Sequence, residues 1–207
     1  MRVLIFGDSI AYGAWDTAGG WVERLKQDAH QRTVASGNVF KRQVINLGVG
    51  GHSSAEILAR LENEINARHS NSWPFVFIFS YGTNDERTLD GEIQTSVQQF
   101  IENTNNIIAT AQKYSDKILF VGLPPLPSAE IAFKRHVYSD ERLKEYDGIL
   151  QATVESAGVT FVPIRQVFLG VGMEELFGIH DDPHPNDKGH QLIYETVRPA
   201  LDKLLEQ

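Results

Sequence analysis

The run Phe75-Val76-Phe77-Ile78-Phe79-Ser80 constrains the fold more than any other segment. It is the most continuous apolar run of the chain, and as a strand it has no polar face to turn toward water. A strand of this kind is covered on both sides, as in a parallel sheet held between layers of helices. Arg2 to Phe6 (RVLIF), Gln43 to Asn46 (QVIN), Lys117 to Val121 (KILFV) and Val159 to Val162 (VTFV) are further short strand-like runs. Between them lie longer stretches with helical spacing: Trp21 to Thr33, a segment from Ser53 through Ile57, Leu61 and Ile65, Ile93 to Lys113, and residues 139–157. Ser53 followed by Glu56 three residues later reads as a capping box at a helix start. A last amphipathic stretch runs from Asn186 to Leu205, where Pro199 should kink or shorten the helix. Strand and helix alternate five times, which predicts an α/β sandwich with a parallel sheet and right-handed crossovers. No repeat, low-complexity tract or linker divides the 207 residues, so one domain is expected over 1–207.

Composition excludes several function classes. The net charge is -8, with 19 basic against 27 acidic side chains, and no basic cluster stands out. A nucleic-acid interface needs such a cluster to neutralise phosphates, and an anionic membrane surface asks for the same. Cysteine is absent, so there is no disulfide, thiolate nucleophile or cysteine-ligated metal. No apolar run approaches the roughly 20 residues that span a bilayer. The apolar residues 1–6 are too short for a signal-peptide core, and together with the lack of cysteine they favour a cytoplasmic protein.

In sheets of this type ligands bind beyond the carboxyl ends of the strands. The turns there carry Gly7-Asp8-Ser9, then Asn46-Leu47-Gly48-Val49-Gly50-Gly51, then Gly82-Thr83-Asn84-Asp85; the loop before the last helix carries Asp181-Asp182-Pro183-His184. Singly, each has a plain explanation. Gly-Asp-Ser is a turn, the glycines supply backbone freedom, Asn84 suits a turn or cap, and His184 suits a solvated loop. Together they supply the parts of acyl transfer: a nucleophile, a base, an orienter for the base, and donors for an oxyanion. Ser9 is the candidate nucleophile and His184 the base that takes its proton. Asp181, three residues before His184, can reach the far imidazole nitrogen, and Asp182 ranks second. The backbone N–H groups of Ser9 and Gly51 and the side-chain amide of Asn84 can face the developing oxyanion.

These four blocks, in order along nearly the whole chain, resemble those of the SGNH, or GDSL, hydrolases; Ile10 stands where leucine is common. The resemblance implies a flavodoxin-like three-layer α/β/α sandwich with a five-stranded parallel sheet in the order 2-1-3-4-5. It implies a small-molecule ester as substrate, with esterase, thioesterase or lipase activity and no cofactor. It assigns Ser9, His184 and Asp181 to a triad, Ser9, Gly51 and Asn84 to the oxyanion hole, and Asp8 and Asp85 to structural support. A carbohydrate O-acetyl esterase would use the same site.

Other readings compete. Gly51-His52-Ser53-Ser54-Ala55 imitates a nucleophile elbow, but strand two does not lead straight into Ser53, and the capping box explains it. His180, His184 and His190 beside Asp181 and Asp182 match no zinc spacing, so no metal is expected, and His190 reads as a packing residue of the last helix. Trp15 follows Ser9 closely enough to touch a substrate. A non-catalytic flavodoxin-like module could hold a phosphate or nucleotide at the Gly-Asp-Ser turn, but such a site has no use for Asp181-x-x-His184. Residues 86–91, 123–138 and 168–180 are expected to line the pocket. They offer Leu126, Ile131, Phe133, Phe168, Met173 and Phe177, with Arg87, Lys134 and Arg135.

Overall fold

Strand and helix alternate from the first residues of the computed structural model, which describes residues 1–70, 72–133, 135–179 and 182–206. Strand β1 (Arg2–Gly7) leads into a one-turn helix α1 (Ser9–Tyr12) and then α2 (Gly20–Ala35). Next come β2 (Gln43–Gly48), α3 (Ser54–Ala67) and β3 (Phe75–Ser80). Two very short strands, β4 (Thr88–Leu89) and β5 (Glu92–Ile93), precede α4 (Val97–Gln112) and β6 (Ile118–Val121). A second short pair, β7 (Glu130–Phe133) and β8 (His136–Ser139), precedes α5 (Asp140–Ser156) and β9 (Thr160–Val162). The chain ends with α6 (Arg165–Val171), α7 (Met173–Leu176) and α8 (Asp187–Glu206).

The main sheet has five parallel strands in the order β2-β1-β3-β6-β9. Numbered among themselves, these strands run 2-1-3-4-5, the expected order. Its central strands are apolar on both faces, yet the two faces differ. Leu4, Phe6, Phe77, Phe79 and Phe120 pack toward α3, α4 and α5. Val3, Ile5, Val76, Ile78 and Leu119 pack toward α2 and α8. The alternation follows from the two-residue period of a strand. It puts a stack of phenylalanines on one side, with Phe79 at 4.9 Å from Phe120 and 5.5 Å from Phe6 between ring centroids.

Side chains set the helix starts. Ser53 accepts the Ala55 N–H, and Glu56 reaches back to the Ser53 N–H, so the capping box forms. Ser96 and Ser139 accept the N–H groups of Gln99 and Arg142 at the starts of α4 and α5. The cap at Ser96 moves the start of α4 from the expected Ile93 to Val97, because Glu92 and Ile93 belong to β5. The last helix also departs from expectation. It runs 20 residues without a break through Pro199. A proline there forfeits one backbone hydrogen bond, but Val197, Leu201 and Leu204 are buried around it and hold the helix together.

The four short strands form a second, antiparallel sheet in the order β5-β4-β8-β7, which the apolar pattern did not announce. Its first turn is the two-residue Asp90-Gly91 loop, with φ of 52° and 87°, the geometry that favours Asp-Gly in tight hairpins. Arg135 makes a two-pronged ion pair with Asp90 and fastens one hairpin to the other.

Candidate active site

The site starts where the central strands stop. Gly7 is level with Gly48 on one side and with Ser80 on the other. A Cβ on Gly7 would lie 2.3 Å from the Ser80 carbonyl oxygen and 2.5 Å from Ala11 Cβ. One on Gly48 would lie 2.3 Å from the Tyr12 nitrogen. Glycine at both positions therefore lets α1 lie directly against the strand ends, which fixes Ser9 at its first turn. Asp8 caps that turn by accepting the Ile10 N–H at 2.9 Å. Asp8 is 2 % exposed, and burial pushes its pKa up to about 7 against the backbone N–H bonds that favour its charge.

His184 reaches Ser9 from the opposite end of the sequence. Its Nε2 lies 2.8 Å from Ser9 Oγ. On the far side of the ring, Nδ1 is bonded to the Asp182 carboxylate. A carboxylate at Nδ1 places the proton there and leaves Nε2 as the acceptor of the Ser9 O–H. Asp182 also accepts the His184 backbone N–H at 2.9 Å and the Trp15 Nε1–H at 3.0 Å. The Trp15 ring meets the imidazole edge-on, with centroids 5.5 Å apart. Trp15 has a φ of 66°, uncommon for a bulky residue, and its backbone turn aims the indole at this loop. Thr17 bonds Asp187 through both its N–H and its hydroxyl, so the loop after α1 is tied to the first residue of α8. Asp181, the expected orienter, lies outside the described residues, as do His180 and Lys134.

The turns after β2 and β3 face the same cleft. Gly51 has a φ of 82° and is exposed there. Asn84 is 4 % exposed; its Nδ2 donates to the His52 carbonyl at 3.0 Å, and its Oδ1 accepts from Arg87 Nη1 at 2.8 Å and the Tyr138 hydroxyl at 3.4 Å. Asp85 points the other way. It accepts the Ser54 N–H at 3.0 Å and the Ser54 hydroxyl at 2.5 Å, and Asn103 completes the set by donating to Ser54 Oγ at 2.9 Å. Burial raises the Asp85 pKa to about 6 despite these donors. The turn after β3 is thus tied to the start of α3.

Ser9, Gly51, Asn84, Asp182 and His184 all line one cleft of about 1120 Å³. Arg87, Phe133, His136 and Tyr138, from or beside the second sheet, form one wall, and Tyr12 and Trp15 stand on the other, both well exposed. Of the segments expected here, 86–91 and 123–138 contribute. No described residue of 168–180 lines the cleft. Phe168 and Phe177 are instead buried against each other under α8, while Leu126 and Ile131 join the core on the opposite face. Those four side chains were more useful as packing than as pocket lining. Ser53 is spent on the helix cap, its hydroxyl bonded to Glu56 at 2.6 Å. His190 is fully buried and donates to the Ala14 carbonyl at 3.1 Å, supporting the Trp15 loop; burial lowers its pKa. Among the described residues no group of three or more His, Asp or Glu side chains could hold a metal ion, and no helix is long and apolar enough to cross a membrane. Sequence reasoning misses Tyr12, which shares no spacing with the four blocks, and reaches His136 and Tyr138 only as part of the lining segment 123–138.

The parallel α/β sandwich carries a serine and a histidine in hydrogen-bond contact beyond its strand ends, an arrangement suited to the hydrolases of this architecture. The comparisons make the class specific. Residues 5–192 match the GDSL-like Lipase/Acylhydrolase family, and the chain belongs to that family and hydrolyses ester bonds. No curated protein sequence matches it. Among solved structures it is similar to the lipase/acylhydrolase from Enterococcus faecalis, at 20 % identity with a TM-score of 0.71, covering 98 % of this chain and 96 % of that one. It is also similar to the acetyl xylan esterase AlAXEase, at 20 % identity and a TM-score of 0.74, over 97 % of this chain and 99 % of the other. An acetylxylan esterase from Geobacillus stearothermophilus aligns at 17 % identity and a TM-score of 0.71, over 97 % and 93 %.

Proposed function

We propose that the chain cleaves carboxylic esters by acyl transfer through Ser9. The observation that carries this reading is the 2.8 Å contact between His184 Nε2 and Ser9 Oγ. His184 takes the Ser9 proton as Oγ attacks the ester carbonyl carbon, and the tetrahedral oxyanion forms. His184 then returns that proton to the leaving alcohol, and an acyl-Ser9 ester remains. Water, deprotonated by the same imidazole, releases the acid and restores Ser9. The orienting carboxylate comes from the pair Asp181-Asp182: the 181-to-184 spacing favours the first, and the contact at Nδ1 favours the second. The N–H groups of Ser9 and Gly51 and the free proton of Asn84 Nδ2 stabilise the oxyanion, and Asp8 and Asp85 support the turns that carry them. A phosphate-binding module would leave the histidine at Ser9 without a purpose.

Hydrolysis of p-nitrophenyl acetate by the wild type and by Ser9→Ala tests the proposal, with loss of a triad member costing on the order of 10⁴ to 10⁶ in turnover. A fluorophosphonate should label Ser9 alone. Equal hydrolysis by the two proteins would sink it. One observation favours a sugar ester in particular. The cleft is open, and Tyr12, Trp15 and Phe133 present exposed rings along it at 64, 60 and 50 % exposure. Flat apolar faces beside polar groups suit a sugar ring, and two of the similar structures are of acetyl xylan esterases. Acetate release from acetylated xylan, compared with release from glycerol esters of longer acids, separates the two substrate types.

A further inference from the structure

We propose that Arg87 is a positioning residue that sets the oxyanion hole, a role that rests on the acyl-transfer reading above. Its guanidinium spans two of the three segments that supply that hole. Nη1 donates to Asn84 Oδ1 at 2.8 Å, and Nη2 reaches the Gly51 carbonyl at 3.4 Å. Nη1 also lies 3.3 Å from the Tyr138 hydroxyl, which itself donates to Asn84 Oδ1 at 3.4 Å.

The consequence for Asn84 is a fixed amide. A primary amide can turn end for end, and the two orientations differ in which atom faces the cleft. A guanidinium has donors only, so the atom facing Arg87 must be the oxygen. The nitrogen then takes the other side, where one proton goes to the His52 carbonyl at 3.0 Å. The second proton is left for the oxyanion. Among the described residues, the one contact to Oδ1 that remains without Arg87 is the longer one from Tyr138.

Charge supports the same role. Among the described residues no carboxylate pairs with Arg87; its partners are an amide, a phenol and a peptide carbonyl, and Nε has no partner. An arginine elsewhere in this protein usually meets an acid: Arg24 meets Asp16, Arg142 meets Glu86, Arg165 meets Asp140. With no acid among the described residues to draw it away, the guanidinium keeps its Nη donors on Asn84, Tyr138 and Gly51.

The test is steady-state hydrolysis of p-nitrophenyl acetate by Arg87→Met, Arg87→Lys and Tyr138→Phe, each also made in the Asn84→Ala protein. Loss of an oxyanion donor costs about 10² to 10³ in kcat, so loss of its support should cost about 10 to 100 in Arg87→Met, with KM within about twofold. Arg87→Lys keeps the charge without the fork and should fall between. In the Asn84→Ala protein, Arg87→Met should add less than about threefold, because the side chain it positions is gone. A general structural role would instead repeat its full loss in both proteins and raise KM as well. The proposal is overturned by a kcat within twofold of wild type in a folded Arg87→Met, or by losses that multiply with Asn84→Ala. If Arg87→Met does not fold, Arg87→Lys and Tyr138→Phe carry the same cycle. Wild-type protein that neither hydrolyses the ester nor is labelled by fluorophosphonate at Ser9 would overturn the acyl-transfer reading, and this role with it; activity and labelling without the Arg87 effect overturn this role alone.

Discussion

Replacing Asp8 with asparagine should change how stability depends on pH. Asp8 is almost fully buried beneath the Ser9 turn and accepts the Ile10 N–H. Burial pushes its pKa from 3.8 to about 7; the bonds from Ile10 and Ala11 pull the other way, and the nearby Asp85 adds to the rise. The helix it caps has four residues, too few for a macrodipole that would hold the charge. Between pH 4 and 7 the folded chain thus keeps a proton that the unfolded chain has released. Stability from this group is fully present below the unfolded value and is lost as pH rises through the folded one. Three pH units at 1.36 kcal/mol each amount to about 4 kcal/mol over the whole window. Asparagine keeps the Oδ1 acceptor and has no proton to lose. Urea unfolding of both proteins at pH 5 and pH 8 should show the wild type losing about 3 kcal/mol relative to Asp8→Asn between those conditions. Asp85 and Glu86, whose pKa values burial raises to about 6 and about 7, titrate in both proteins and largely cancel. A stability difference that stays constant with pH, or that shifts toward the wild type as pH rises, would refute the buried neutral aspartate.

Four further outcomes follow from particular contacts. The double variant Asp181→Asn/Asp182→Asn should lose about 10⁴ in kcat on p-nitrophenyl acetate, as loss of a triad aspartate does; the single variant that reproduces this loss identifies the orienting carboxylate, and full activity in the double variant would remove a carboxylate from the mechanism. Asn84→Ala should keep its fold by circular dichroism and lose about 10² to 10³ in kcat. Gly48→Ala puts a Cβ 2.3 Å from the Tyr12 nitrogen, so α1 must shift; stability should fall by about 1–3 kcal/mol and fluorophosphonate labelling of Ser9 should slow, both measured on one preparation. Phe79→Ala removes a fully buried ring from the phenylalanine stack and should cost about 3–5 kcal/mol in urea unfolding.

The main sheet was readable from sequence because its strands are buried on both faces, and such strands announce themselves as unbroken apolar runs. Phe75 to Ser80 is the clearest case. The second sheet was not readable for the opposite reason. Its strands are two to four residues long and partly exposed, with Glu92 and Ile93 both facing solvent, so no apolar period marks them. The signal they do carry is local, the Asp90-Gly91 turn, and it says hairpin without saying where the hairpin lies. Ser9, Asn84 and His184 could be named because each belongs to a block with its own backbone requirement. Arg87 could be named as lining only, since its partners Asn84, Gly51 and Tyr138 come from three separate segments that meet through the fold. The choice between Asp181 and Asp182 is harder still: adjacent side chains in a Pro-containing loop differ by backbone direction, which spacing along the chain does not specify.

The strand register explains why residues so far apart in sequence arrive together. Gly7, Gly48 and Ser80 are level across three neighbouring strands. Each strand ends there, so the turns after them leave the sheet at one height and on one edge. The first delivers Ser9, the second Gly51 and the third Asn84. Residues without bulky side chains at that level let α1 close over the ends, and a larger side chain at Gly7 or Gly48 would push Ser9 outward by the width of a methyl group. His184 then needs only one fixed loop to reach Ser9, and that loop is held from both sides: by Trp15 at Asp182, and by the pairing of Phe177 with Pro185. Ser9 is therefore placed by the sheet and His184 by a clamp between two loops. Substitutions in the sheet core should act mainly on stability, whereas changes at Trp15 or Thr17, which touch the clamp and not the core, should lower turnover with little change in unfolding free energy.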